Sequence, residues 1–228
     1  MKNRLKARLA GSACMTGGLT FSLYFIALHS LLKAFSPPIE AGAIPVVKTV
    51  ISCVASVCLA CGPIGLLAVS AAGTGRVKAL GVAGAVITLL GLVSYITGSI
   101  YIYSFPDRAF KHLFTPGGSF LPTLGMLLLG IAMLKGRKLC GWRAATPLLV
   151  SLYFPLQFPL QALLFLGKGR GPNPILLGAW GVFWLLLGYA IWSIARETTA
   201  TRILLANSKM SKSVCPTCLL GSQKCLGN

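Results

Sequence analysis

The sequence predicts an all-α, polytopic membrane protein with six transmembrane helices and both termini in the cytoplasm. The chain of 228 residues is 55% hydrophobic, and its mean hydropathy is +0.79. Charged residues make up 11% of the chain, whereas soluble domains contain roughly 25%. The basic residues separate long apolar runs, as they do in membrane proteins. We therefore expect one multi-pass domain over residues 1–195, with the lipid bilayer as its surroundings.

Six apolar runs are near the roughly 20 residues that a membrane-spanning helix needs. They cover residues 9–32, 49–72, 79–104, 118–134, 144–166 and 175–194. The first run follows the basic sequence MKNRLKAR, but its apolar part exceeds the roughly 7–15 residues of a cleaved signal peptide, so we predict a retained helix. The fourth run is the shortest, and Lys135 can extend it by snorkelling to the interface.

The distribution of lysines and arginines predicts the orientation of these helices. Both termini and the loops on their side hold fifteen basic residues, and the opposite loops hold six. Because positively charged loops stay in the cytoplasm, both termini are predicted there, and an even number of helices agrees with this. Residues 196–228 are predicted to be a polar, disordered cytoplasmic tail.

The third run predicts a close contact with a neighbouring helix. Its small and aromatic residues are spaced four, three, four and three apart, which places them on one helical face. They are Gly84, Thr88, Gly91, Tyr95 and Gly98. Small residues on one face let a second helix approach closely, so we predict tight packing at this face.

The fifth run contains LYFPLQFPLQALLF, which places prolines and glutamines in an otherwise apolar helix. Residues four apart share a helical face, so two stripes result on opposite sides of the helix. The stripes are Tyr153, Gln157 and Gln161 on one side and Pro147, Ser151, Pro155 and Pro159 on the other. An unpaired amide in hydrocarbon costs roughly 4–8 kcal/mol, so neither glutamine is expected to face lipid. A helix with two such stripes is predicted at the centre of the bundle or beside a wet cavity.

Polar residues of the second, third and fifth runs fall at the same predicted depth, in the outer half of the membrane. The candidate ligand-binding residues are Gln157, Gln161, Tyr153, Tyr95 and Ser99, accompanied by Thr97, Tyr101, Thr49, Ser52 and Ser56. These side chains predict a polar cavity that opens outward between the three helices. The alternative is hydrogen bonding between helices, worth about 0.6–2 kcal/mol for each bond, with no ligand.

The position of the acidic residues argues against several functions. None of the three lies inside an apolar run, since Glu40 and Asp107 fall in predicted outer loops and Glu197 follows the last run. Proton-coupled transport usually needs buried carboxylates or histidines, so strong proton coupling and paired-carboxylate catalysis are not expected. The sequence contains no Walker loop, HExxH or GxSxG motif. We predict no cofactor and, because the basic residues form no aromatic-interleaved patch, no nucleic-acid partner.

Cysteine is abundant, with eight residues in the chain. Cys58 and Cys61 form a CxxC motif in the second run, a spacing that can shuttle disulfides or bind soft metals. The stretch CLACGP resembles the cysteine-bearing helix of small mercuric-ion transport proteins, but it departs from their adjacent Cys-Cys pair. The alternative is that these thiols pack as small hydrophobic side chains. In the tail, Cys215, Cys218 and Cys225 offer three of the four ligands that a structural zinc site needs.

Residues 124–149 read LGMLLLGIAMLKGRKLCGWRAATPLL, a glycine-punctuated span followed by a basic loop, a tryptophan and Pro-Leu-Leu. Over residues 124–193 this pattern resembles uncharacterised multi-pass bacterial integral membrane proteins. The resemblance implies a location in the inner (cytoplasmic) membrane of a bacterium, and it implies no activity. We therefore predict a non-enzymatic protein that binds or passes a small neutral or amphiphilic molecule. One alternative is a membrane-embedded thiol-redox or other enzyme that uses Cys58 and Cys61. Another is an accessory subunit that forms homo-oligomers or packs against a membrane partner protein.

Overall fold

The computed structural model describes residues 2–28, 43–69, 75–104, 111–136, 141–164 and 173–210. Over these residues the chain is helical and contains no strand, which confirms the predicted all-α class. The helices are α1 (Lys2–Leu23), α2 (Ala43–Ala68), α3 (Gly75–Ser104), α4 (Lys111–Gly136), α5 (Trp142–Leu164) and α6 (Pro174–Met210). A π-helical turn, Tyr24–Leu28, continues α1.

Five of these helices are long and apolar enough to cross a membrane, judged on the described residues. The stretches are Leu5–Ala27, Thr49–Ala68, Gly75–Tyr101, Gly118–Gly136 and Pro174–Glu197. They make the chain compatible with an integral membrane protein. The helix outside this group is α5, whose 23 residues include three prolines and two glutamines. A sixth crossing by α5 and the cytoplasmic location of both termini stay predictions.

The helices form a closed ring in which each one packs against the next along the chain and α6 returns to α1. Packing is most extensive between α3 and α4 and between α1 and α6, and α2 also contacts α6 across the ring. The ends that carry Lys6, Arg76, Lys135, Arg143 and Arg196 lie on one side of this antiparallel ring. We call that side the basic end.

The contact between α1 and α6 depends on glycines spaced seven residues apart on both helices. A Cβ atom on Gly18 would lie 2.5 Å from the carbonyl oxygen of Gly181, and one on Gly11 would lie 2.8 Å from that of Gly188. Real Cβ atoms do not approach a backbone this closely, so only glycine allows this separation of the two helices. The pairing of Gly11 with Gly188 and of Gly18 with Gly181 shows that α1 and α6 are antiparallel.

A second pair of glycine-bearing helices is α3 with α4. A Cβ on Gly84 would lie 2.6 Å from the carbonyl oxygen of Gly125, and one on Gly91 would lie 2.6 Å from the backbone nitrogen of Pro122. Thr88, between the two glycines, donates its hydroxyl to the carbonyl of Gly84 at 2.9 Å and therefore adds no unpaired polar group to the contact. The predicted tight packing at this face of α3 is confirmed.

The core of the bundle is built around α6 and not around α5. Trp180, Trp184, Leu187 and Ile191 of α6 are buried together with residues of α1, α2, α3 and α4, and α5 contributes Val150 to this buried cluster. In α5, by contrast, Leu152, Leu156, Leu160 and Leu163 are exposed, and the helix packs chiefly against α4 and α6. The prediction of a central fifth helix is therefore wrong. Of its proline stripe, Pro155 and Pro159 lie on the exposed side of α5, whereas Pro147 and Ser151 are buried.

The last helix is longer than its apolar run. α6 has 37 residues, which corresponds to about 55 Å of helix, whereas the hydrocarbon core of a bilayer is about 30 Å thick. The helix continues beyond Glu197 to Met210, so the expected start of the tail at residue 196 falls inside a helix. The tail cysteines, Cys215, Cys218 and Cys225, lie outside the described residues.

Candidate functional site

α5 is helical although it contains Pro147, Pro155 and Pro159. A proline has no N–H and leaves the carbonyl four residues before it without its helical donor. For Pro147 that carbonyl belongs to Arg143, and the hydroxyl of Thr146 donates to it at 2.9 Å. A local side chain therefore replaces the missing backbone donor at the first of the three prolines.

The two glutamines of α5 lie on its buried face. Gln157 is 4% exposed and Gln161 is 8% exposed, and both follow Phe154 along the side that faces α4 and α6. The ring of Phe154 packs edge-on against Phe120 of α4, with centroids 5.6 Å apart, and contacts Trp180 of α6 at 5.8 Å. The glutamines are thus turned away from the leucine-rich outer surface of α5, as their polarity predicts.

Gln157 and Trp184 each have a buried polar atom without a partner. Among the described residues, neither Oε1 of Gln157 nor Nε1 of Trp184 has a hydrogen-bond partner. Most buried polar atoms in proteins are hydrogen-bonded, and leaving one unsatisfied costs about 1–3 kcal/mol. Gln157 was a predicted site residue, whereas nothing in the sequence singles out Trp184 from the other tryptophans.

Tyr153 lies next to the glutamines but is already engaged with α6. Its hydroxyl donates to the carbonyl oxygen of Leu176 at 2.7 Å, and its ring packs on Phe183 at 4.9 Å. Trp180 makes the reverse connection, since its indole N–H donates to the carbonyl of Val150 at 3.2 Å. These two bonds join α5 to α6. They support the alternative in which Tyr153 forms a hydrogen bond between helices and binds no ligand.

The predicted residues of α3 are joined to α2 and not to α5. The hydroxyl of Ser99 donates to the carbonyl of Tyr95 at 2.9 Å, and the side chain of Tyr95 is hydrogen-bonded to Ser52 of α2. Ser56, one turn further along α2, donates to the carbonyl of Ser52 at 2.8 Å. Because α5 packs chiefly against α4 and α6, these side chains form a separate polar group from Gln157.

The CxxC motif of α2 lies near a third free thiol, that of Cys14 of α1, which no sequence motif indicated. Cys14 of α1 is buried and donates to the carbonyl oxygen of Trp184 at 3.4 Å, and it lies close enough to Cys58 and Cys61 for electrostatic interaction. Cys61 donates to the carbonyl of Val57 at 3.8 Å. Within the described ranges, no three histidine, cysteine or acidic side chains are arranged to hold a metal ion.

At the basic end, Arg143 and Glu197 tie the start of α5 to α6. Two hydrogen bonds of 2.6 and 2.5 Å join the guanidinium nitrogens to both carboxylate oxygens. These bonds raise the pKa of Arg143 above its ordinary value, chiefly through the hydrogen bonding to Glu197. A bidentate pair of this kind also defines the relative position of the two helices.

The fold defines a ring of antiparallel helices compatible with an integral membrane protein. No protein-family model, curated protein or solved structure matches the chain. The resemblance of residues 124–149 to multi-pass bacterial membrane proteins therefore assigns neither a family nor an activity.

Proposed function

We propose that this chain is a six-span membrane protein whose half opposite the basic end binds a small neutral or amphiphilic molecule at Gln157. The observation that supports the proposal is the 4% exposed amide of Gln157, whose Oε1 has no partner in the described part of the chain. In hydrocarbon such an acceptor is costly. A hydroxyl or amide N–H of a bound molecule would supply the missing donor.

The surroundings of Gln157 indicate the chemistry of the ligand. Phe154 lies about one turn before Gln157 on the same face of α5, and its ring contacts Phe120 of α4 and Trp180 of α6. The one acidic residue in the described ranges, Glu197, lies at the basic end in its pair with Arg143. A cationic ligand would therefore find no carboxylate beside Gln157 among the described residues, whereas a neutral molecule with a hydroxyl group and an apolar chain fits the unpaired acceptor and the aromatic side chains.

A diazirine-bearing fatty alcohol tests this proposal, because it carries one hydroxyl donor and a photoreactive apolar chain. On illumination in detergent, we expect adducts on α5 and α6 near Phe154 and Trp180 that excess unlabelled alcohol suppresses. Gln157→Leu removes the acceptor and should abolish the suppressible part of the labelling. Peptide mass spectrometry locates and quantifies the adducts.

The matched control is Ser193→Ala, which removes a buried hydroxyl of α6 that donates to the carbonyl of Ala190 within its own helix. This variant should keep the suppressible labelling. Equal suppressible labelling of the wild-type protein and Gln157→Leu would contradict the proposal and favour a purely structural role for the glutamines.

The second candidate function is thiol-redox chemistry. The observation in its favour is that Cys14 of α1 lies near both Cys58 and Cys61 of α2, which extends the CxxC motif to a third thiol. Against it, Cys14 is fully buried and bonded to the carbonyl of Trp184. A thiol in this position packs as a small hydrophobic group more readily than it exchanges disulfides.

A further inference from the structure

The outer surface of α5 and α6 at the basic end carries a row of stacked side chains. Trp142 stacks on Tyr189 with centroids 6.1 Å apart, and Tyr189 stacks on Trp192 at 6.2 Å. The guanidinium carbon of Arg196 lies 5.4 Å from the centre of the Trp192 ring. We call these four residues the aromatic row. Trp142 and Tyr189 are 49% and 46% exposed, so the row faces outward from the bundle.

The charge around the aromatic row is positive. Glu197 is the one acidic residue in the described ranges, and it pairs with Arg143. Arg196 is exposed and, within those ranges, takes part in no ion pair. The N-terminal half of α1 packs beside it, since Gly11 lies against Trp192, and this part of α1 adds Lys6 and Arg8. A partner at this surface is therefore expected to carry negative charge.

The aromatic row continues into an apolar surface on both helices. Leu149 follows Trp142 by seven residues and Val182 precedes Tyr189 by seven, so each lies on the same helical face as its aromatic partner. Leu149 is 41% exposed and Val182 is 44% exposed. Of the neighbouring pairs in the ring, α5 and α6 pack against each other the least. Leu149 and Val182 therefore extend an apolar surface from the aromatic row toward the opposite end of the bundle.

We propose that the aromatic row binds the headgroup of an anionic glycerophospholipid, with one acyl chain along Leu149 and Val182. Tryptophan and tyrosine favour the headgroup level of a bilayer, and a guanidinium forms strong hydrogen bonds to phosphate oxygens. The stacking on Trp192 holds the Arg196 guanidinium in place, and the phenol and indole groups of the row offer further donors. A nucleic acid or acidic peptide would match the charge but would leave the apolar surface of Leu149 and Val182 uncovered.

Native mass spectrometry of the full chain, with phosphatidylglycerol or phosphatidylcholine added to the detergent, tests this proposal. We expect the wild-type protein to retain phosphatidylglycerol in preference to phosphatidylcholine. Arg196→Gln should weaken phosphatidylglycerol binding by about fivefold, and Trp142→Leu should weaken the binding of this lipid too. Both side chains are exposed, so neither substitution is expected to unfold the protein, and circular dichroism verifies this.

The matched control is Lys78→Gln, which removes one exposed positive charge at the basic end but on α3, away from the aromatic row. It should leave phosphatidylglycerol binding within about twofold of wild type. Equal losses in Lys78→Gln and Arg196→Gln would overturn the proposal, because a diffuse charge would then explain the binding. Displacement of the lipid by excess inorganic phosphate would also overturn it, since the site would then hold a soluble anion and not a lipid.

Discussion

Gln157 is deeply buried, and its side-chain oxygen has no hydrogen-bond partner among the described residues. At the scale of one residue, these two properties together distinguish a candidate for ligand binding from a side chain that only packs. Tyr153, Ser99 and Tyr95 were equally polar candidates, but each of their hydroxyl groups has a partner within the bundle. An amide side chain has two N–H donors and an acceptor oxygen to satisfy, so one of these groups is more easily left without a partner than the single O–H of a hydroxyl. Gln157 is therefore the residue at which a ligand would gain most.

The ligand-free protein should be less stable because of Gln157. Replacing an unsatisfied buried amide with an apolar side chain of similar size removes its desolvation cost, so Gln157→Leu should raise the free energy of unfolding in detergent by about 1–2 kcal/mol. Residues kept for binding often reduce stability in this way. Gln161→Leu is the comparison, since no atom of Gln161 is among the buried unsatisfied atoms of the described residues, and it should give a smaller gain. A loss of stability in Gln157→Leu would mean that its amide is already paired.

At the scale of the helices, two pairs come together by close backbone approach at their glycines. In both α1–α6 and α3–α4 the glycines are seven residues apart, the spacing at which a straight face meets an antiparallel neighbour. The fifth helix differs, since it is joined to α6 by the bonds of Tyr153 and Trp180 and by the Arg143–Glu197 pair. Hydrogen bonds and an ion pair therefore hold α5 against α6, whereas glycine contacts hold the α1–α6 and α3–α4 pairs together.

Gly181→Ala tests the importance of the glycine contacts. The added Cβ would lie 2.5 Å from the carbonyl oxygen of Gly18, so α1 and α6 must separate, and we expect a loss of about 1–3 kcal/mol in the free energy of unfolding. Alanine is about 1 kcal/mol more favourable than glycine in a helix, so a net loss of stability would have to come from the helix contact. Ala83→Val, on the exposed side of α3, should change stability little. Equal stability of Gly181→Ala and the wild-type protein would show that α1 and α6 can move apart without a loss of free energy. Unfolding in detergent gives both values.

At the scale of the whole molecule, the ring arrangement accounts for the topology that we propose. α5 lies antiparallel to α4, since Leu148 lies against Gly130 and Phe154 against Phe120. It is also antiparallel to α6, since Tyr153 bonds to Leu176 and Arg143 to Glu197. Its 23 residues extend over about 34 Å, enough for the roughly 30 Å of a hydrocarbon core. Three prolines and two buried glutamines lower its hydropathy, but its exposed leucines still present an apolar surface outward.

The number of crossings determines the relative location of the two termini. Six crossings put residues 1 and 228 on the same side of the membrane, and five put them on opposite sides. Epitope tags at the two termini of the full chain, probed by protease in sealed and in opened cells, should both be protected until the cells are opened. Protection of one tag only would reject the six-span topology, and cleavage of both in sealed cells would reverse the predicted orientation.

The sequence alone determined the all-α class and the apolar helices, because length and hydropathy are local properties. It also determined the glycine face of α3 and the burial of both glutamines of α5, since helical periodicity assigns residues to faces. It did not determine the neighbours of those faces. Only the tertiary structure shows that α6 contributes more residues to the buried core cluster than any other described helix, that Tyr95 bonds to Ser52 and not to α5, and that Trp142 joins Tyr189 and Trp192 in one row. Each of these contacts joins residues far apart in the chain, and no local pattern records which two helices will meet.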